Sequence, residues 1–165
     1  MASQNWPNGS NLHMIIDKQD REILRLLQTQ GRLPNAELAQ RVGLSASACL
    51  RRLQRLESSG VIAGYAAVLD AAAIGRPTTV FVEVSLDSQG SAALAAFERA
   101  VQACPDVLEC HLMSGDIDYL LRVAVADLRD FERVHRQQLA VFPHVARLRT
   151  AFAMREVVQR RAYPL

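Results

Sequence analysis

The sequence predicts an α+β chain: a helical front part ordered as a (winged) helix-turn-helix, followed by a ferredoxin-like β-α-β-β-α-β unit. Three observations carry this expectation. Over the first sixty positions apolar residues recur every three or four places, in stretches of helix length. Glycines at Gly31, Gly43 and Gly60 close those stretches. From Thr78 onward, short strand-like runs take turns with two longer amphipathic ones.

Residues 1–13 are rich in Asn, Ser, Gly and Pro without periodicity, and the His13–Met14 pair reads as a junction. The segment is read as a tag or a disordered lead and is kept out of the fold, with Met14 as the expected start.

The helical domain is placed at 14–62. "DKQDREILRLLQTQG" sets Ile16, Ile23, Leu24, Leu26 and Leu27 on one face, with acids at its start and Gly31 past its end. Asn35 is read as the N-cap of "AELAQRV", a short helix presenting Leu38 and Val42 and closed by Gly43. Leu44 enters the core. Ser45 caps a third helix that runs to about Ser59. Two short helices joined at a tight glycine turn, with a helix before them, make a helix-turn-helix pattern.

On a helical wheel of ~100° per residue, the third helix turns Ala46, Cys49, Leu50, Leu53 and Leu56 toward the core. Ser47, Ala48, Arg51, Arg52 and Arg55 then fall on the opposite side. The net charge of +2 conceals an asymmetry along the chain: residues 17–60 carry eight basic and five acidic side chains, residues 61–165 eleven and twelve. No acid stands between Glu37 and Glu57, where Arg41, Arg51, Arg52 and Arg55 lie. Guanidinium groups bind phosphate and read guanine edges in pairs, and a major groove admits one helix. Double-stranded DNA is therefore the expected partner, with Ser45, Ser47, Arg51, Arg52 and Arg55 as its contacts.

Residues 63–77 are expected as a linker strand and connector: the β-prone run "GVIAGYAAVLD" leaves the helical domain, and a connector holding Gly75 and Pro77 follows. Residues 78–165 form the second domain. "TVFVEVSLD" alternates, Val80, Val82 and Val84 on one side and Phe81 on the other. "SAALAAFERAVQAC" reads as a helix stopped by Pro105. "VLECHLMSG" and "DYLLRVAVAD" are two strands joined at Gly115–Asp116. "DLRDFERVHRQQLAVF" is a second helix stopped by Pro143, and "VARLRTAFAMREVV" the last strand. Cys49, Cys104 and Cys110 are odd in number, have no C-x-x-C pairing and lie in apolar patterns, so they read as reduced, buried thiols.

Several functions find too few residues. Asp116 and Asp118 with His111 nearby lack the further ligands a magnesium or zinc site needs. His135 and Ser114 belong to no nucleophile motif, and no phosphate-binding glycine loop occurs. Neither an enzyme, a metal nor a cofactor is expected. No apolar run approaches the ~20 residues that cross a bilayer, and no signal-peptide pattern opens the chain. The expected location is the cytoplasm.

"DREILRLLQTQGRLPNAELAQRVGLSASACLRRLQRLESSGVIAGYAAVLD" resembles the N-terminal domain of the Lrp/AsnC, or feast/famine, regulators, and "VLECHLMSGDIDYLLRVAVAD" the core of their effector domain. The likeness extends over residues 15–165 and is closest to the leucine-responsive branch, particularly at Glu109 to Leu121. Where the family often has prolines, this chain has Ala46 and Ala48. The resemblance implies a transcriptional regulator whose second domain senses an amino acid and drives assembly. It implies that Ser114, Gly115, Asp116, Asp118 and Tyr119 belong to an effector loop that binds a small amino acid at the contact between dimers. Leucine, another branched-chain amino acid or methionine is compatible. One recognition helix reads few base pairs, so a homodimer on half-sites one DNA turn apart is expected, with Tyr65 to Leu69 and the second domain as contacts. By resemblance, dimers assemble further, commonly to octamers. Two other readings fit the residues: an amino-acid-binding regulatory subunit of a metabolic enzyme, and a weakly specific DNA compactor of the same fold.

Overall fold

A computed structural model describes residues 15–165. The reading of residues 1–13 as a tag, and of Met14 as the start, lies outside the described residues. The chain divides into two compact units, one holding the chain up to Val68 together with Val158–Leu165, the other Leu69–Val157.

The first unit is helical. Helix α1, Lys18–Thr29, opens on a reciprocal cap: Asp17 accepts the Asp20 N–H at 2.8 Å, and Asp20 accepts the Asp17 N–H at 3.2 Å. Helix α2 spans Asn35–Arg41. Its N-cap is Pro34 and not Asn35, a correction of the sequence reading. Asn35 is already helical, and its side-chain amide donates to the Ala46 carbonyl at 2.9 Å, tying α2 to the next helix. Gly43 turns the chain at φ 67°, a left-handed conformation that glycine adopts without the clash a Cβ brings. Helix α3, Ala46–Ser58, is capped by Ser45, whose hydroxyl accepts the Ala48 N–H at 3.2 Å.

Ile23, Leu24, Leu38, Ala39, Val42, Cys49 and Leu56 form the core of this unit, with Leu44 packed at its edge. Burying one such leucine contributes about 2 kcal/mol. The expected strand after Gly60 does not form. Among the described residues, 61–77 pair with no strand, and Tyr65, Val68 and Leu69 are exposed.

The second unit is a four-stranded antiparallel sheet with two helices on one face. In chain order it comprises β1 Thr78–Leu86, α4 Ser91–Gln102, β2 Val107–Leu112, β3 Tyr119–Val125, α5 Leu128–Gln137 and β4 Val145–Phe152, in sheet order β2-β3-β1-β4. Alternation sends Val80, Val82 and Val84 of β1 and Tyr119, Leu121, Val123 and Val125 of β3 under the helices. They meet Phe97 and Val101 of α4 and Phe131 and Val134 of α5. Phe81 faces the other way.

Two elements are shorter than the sequence suggests. Helix α5 stops at Gln137 and a single 3-10 turn, Leu139–Val141, follows; Gln138 is drawn out of the helix, its amide donating to Asp106 at 3.1 Å. Strand β4 ends at Phe152, opposite Val80 of β1, its sole neighbour in the sheet; one more bond, from the Ala153 N–H to the Thr79 carbonyl at 3.0 Å, follows before the chain leaves. Arg76, at the end of the connector, donates to buried Asp106 at 2.5 Å and to the Ala124 carbonyl at 3.0 Å, so the connector enters β1 from a fixed point. All three cysteines are free. Cys49 and Cys104 are buried as expected, while Cys110 lies exposed on the edge strand β2.

Candidate nucleic-acid interface and ligand hairpin

The phase of α3 differs from the wheel drawn on its sequence. Cys49 and Leu56 are fully buried, Leu53 and Ala48 partly, and Leu50 is exposed to 44%. The core-facing stripe is therefore centred nearer Cys49 than Leu50. That shift moves Arg52 to the flank of the core. The outward face now reads Ala46, Ser47, Leu50, Arg51, Gln54 and Arg55.

Arg52 and Arg55 are not free cations. Arg52 donates to Asp17 at 2.6 Å and to Asp20 at 2.9 Å, and Arg55 donates to Asp20 at 2.5 Å. Asp20 has no solvent exposure at all, whereas the Arg55 side chain keeps 48% and Arg52 27%. The two carboxylates of α1 thus neutralise two guanidiniums of α3, and the expectation of a locally unopposed basic helix is corrected. The opposing charge comes from more than thirty residues upstream. Burial of Asp20 is tolerable because both oxygens are held by charged donors. The Asp17 carboxyl is pulled down to about 2, chiefly by the Asp20 N–H and then by Arg52. The guanidinium of Arg52 is raised above its ordinary value by bonds to Asp17 and Asp20.

Arg51 stands differently. Among the described residues it makes no ion pair and no side-chain hydrogen bond, and it is exposed between Leu50 and Gln54. Ser47 lies one turn before it, exposed, 3.3 Å from the Ser45 hydroxyl. The residues that sequence reasoning missed are Leu50 and Gln54. An available signal was Cys49: centring the wheel on that residue instead of Leu50 places Leu50, Arg51 and Gln54 outward together.

The second site is the turn between β2 and β3. Met113 N–H donates to the Asp118 carbonyl at 2.8 Å, closing a loop in which Gly115 sits at φ 121°, a region open to glycine. Ser114, Gly115 and Asp116 are exposed. Asp118 is committed elsewhere: one oxygen accepts the Leu86 N–H at 2.7 Å and the other the Gln89 side-chain amide at 2.8 Å. It fastens the hairpin to the end of β1. Tyr119 is buried; its ring packs on Phe97 with centroids 4.5 Å apart and its hydroxyl donates to Glu98 at 2.8 Å. The Tyr119 side chain thus lies under the helices, away from the open surface of the hairpin where the sequence reading set it. The alternation of β3 turns it under the helices with Leu121, and burial followed by the Glu98 carboxylate raises its hydroxyl pKa.

Among the described residues no group of three or more His, Cys, Asp and Glu side chains could hold a metal ion. No described helix is long and apolar enough to cross a membrane. A groove of about 490 Å³ runs between α5 and β4, lined by Leu128, Phe131, His135 and Phe152 among others; none of the expected effector residues lines it.

A capped helix-turn-helix with an outward polar face is joined to a β-α-β-β-α-β unit that carries an open glycine hairpin. Residues 16–63 match a winged helix-turn-helix DNA-binding model and residues 79–163 the Lrp/AsnC ligand-binding domain. The chain is 43% identical over 150 residues to the Bkd operon transcriptional regulator of Pseudomonas aeruginosa, covering 91% of this chain and 98% of that one. It is 42% identical over 144 residues to the leucine-responsive regulatory protein of Escherichia coli, covering 87% and 88%. Its fold is similar to that of a transcriptional regulator from Neisseria meningitidis solved with L-Met, with a TM-score of 0.86 at 35% identity over 91% of this chain and 97% of that one. An AsnC family regulator from Agrobacterium tumefaciens gives 0.85 at 38% identity over 90% and 96%. The chain belongs to the Lrp/AsnC family of transcriptional regulators, and its class is regulatory, not enzymatic.

Proposed function

We propose that α3 enters the DNA major groove with Ser47, Leu50, Arg51 and Gln54 toward the bases, Arg51 reading a guanine. The single observation that supports this most is that Arg51 is the α3 arginine left unpaired while Arg52 and Arg55 are bound to Asp20. Ser45 and Ser47 at the helix start are suited to phosphate, Arg55 to a phosphate beside the groove through its exposed part, and Arg52 to fixing the helix. Two copies of the helix are required for useful affinity, so the active form is a homodimer, assembling further to a higher oligomer, the octamer by family likeness. The exposed Tyr65, Val68 and Leu69 are apolar surface suited to those contacts, and the helix-free face of the sheet, where Phe81 stands opposite Arg122 and beside the Glu83–Arg149 pair, adds a mixed polar one. We infer a cytoplasmic location, which a DNA partner and the bacterial relatives support.

The effector we infer is a small apolar amino acid: leucine, another branched-chain amino acid or methionine. The regulators it is similar to include leucine-responsive proteins and one crystallised with L-Met. At the hairpin, Ser114 and Gly115 supply backbone N–H groups for an α-carboxylate, and Asp116 an acceptor for an α-ammonium. Asp118 acts by holding that loop, and Tyr119 by holding the strand beneath it. A thermal-shift screen against the twenty amino acids tests this, since a ligand that binds only the native state raises the melting temperature. A rise confined to apolar amino acids supports the reading; no rise with any of them contradicts it.

A further inference from the structure

Helix α1 is gripped at two places. Asp20 bonds it to α3 at its start, and a second grip, two turns along, comes from the far end of the sequence. Gln28 donates its side-chain amide to the Tyr163 carbonyl at 3.2 Å and accepts the Tyr163 N–H at 2.5 Å. Arg25, one turn earlier, donates to the Leu165 carbonyl at 2.5 Å. The Leu165 side chain packs against the apolar core of the helical unit, while the Tyr163 side chain is 79% exposed. Recognition is thus of the main chain and of one leucine, not of the tyrosine ring. Residues 158–165 belong to the helical unit, although the chain reaches them directly from β4 of the ligand-binding unit through irregular residues 153–157.

We propose that the Arg25–Gln28 edge of α1 is a docking site whose occupant is this chain's own Tyr163–Leu165 segment, a latch fastening that segment to the helix that holds α3. A paired amide on one backbone residue is the contact a neighbouring strand makes, and here a single side chain supplies it. Seated, the segment restrains α1; released, it leaves α1 held by its core residues and by Asp20.

Trypsin provides the test, because Arg160 and Arg161 are exposed just ahead of the latch. Cleavage after them in the intact protein follows the population of the undocked segment. Replacing Gln28→Ala removes two hydrogen bonds and is expected to speed cleavage about tenfold, with a matching rise in hydrogen exchange of α1 amides. Gln28→Glu keeps the acceptor for the Tyr163 N–H and is expected to fall between. A chain ended at Gln159 gives a second reading: it should fold, with α1 exchange raised as in Gln28→Ala. Unchanged cleavage in Gln28→Ala, or unchanged α1 exchange in the shortened chain, overturns the latch. Neither readout involves DNA or an amino acid, so failure here is separate from failure of the proposed function.

Discussion

Asp20 Oδ1 lies 2.9 Å from Arg52 Nη1, and no part of the Asp20 side chain meets solvent. A buried acid on the first helix of a DNA-binding unit has one consequence for shape and one for charge. It fixes α3 against α1, and it withdraws positive charge from the outward face of α3.

Both consequences appear in one variant. Asp20→Asn keeps the side chain's form and removes its charge, with an expected loss of about 1–3 kcal/mol in urea unfolding. It also frees Arg55, so non-specific duplex affinity should rise and the slope of log affinity against log salt should steepen by about one unit. An unaltered slope in fluorescence anisotropy would mean that Asp20 does not diminish the charge Arg55 presents to phosphate.

Acid provides a second handle on the same contact. The Asp17 carboxyl is held at about 2 in the folded chain against 3.8 as its ordinary value. A depressed acid stabilises the fold above its unfolded pKa, and that stabilisation fades as pH falls from about 4 toward 2. The Asp17→Ser variant retains a capping oxygen and lacks this titration. Its stability, followed by circular dichroism, should fall less over that interval than the parent's.

In the ligand-binding unit, Asp116 and Asp118 separate by what they touch. Asp116→Ala should weaken amino-acid affinity at least fivefold in calorimetry without lowering the melting temperature, since its side chain is exposed. Asp118→Ala should lower the melting temperature by several degrees, because it leaves the half-buried Leu86 N–H without its acceptor and unties the hairpin from the end of β1. Equal ligand affinity in Asp116→Ala and the parent would remove Asp116 from the site.

Tyr119→Phe removes one hydroxyl from the core and leaves the Phe97 packing in place. A loss of about 1 kcal/mol is expected, from the bond to Glu98, with the amino-acid response intact. Loss of that response would return Tyr119 to the ligand surface.

Much of the fold is legible from pattern alone. Val80, Val82 and Val84 alternate against Phe81, and they stand on opposite faces of the sheet as that alternation requires. The helix limits at Ser45 and Gly60 follow from capping chemistry. What periodicity could not supply was partners distant in sequence: the leucine-rich wheel of α3 admits two phases, and Asp20, which decides what Arg52 and Arg55 do, reads in sequence only as an acid near a helix start. Tyr119 was readable, since it shares alternation with Leu121, Val123 and Val125. There the likeness to a family loop outweighed the strand's own pattern.

The most direct measurement compares Arg51→Ala and Arg52→Ala in parallel, by duplex titration over a range of salt and by thermal melting. Arg51→Ala should lose about 1–3 kcal/mol of affinity for its preferred duplex with an unchanged melting temperature, whereas Arg52→Ala should melt early and bind nearly as before at a temperature where it is folded. Undiminished DNA binding by Arg51→Ala would contradict the account.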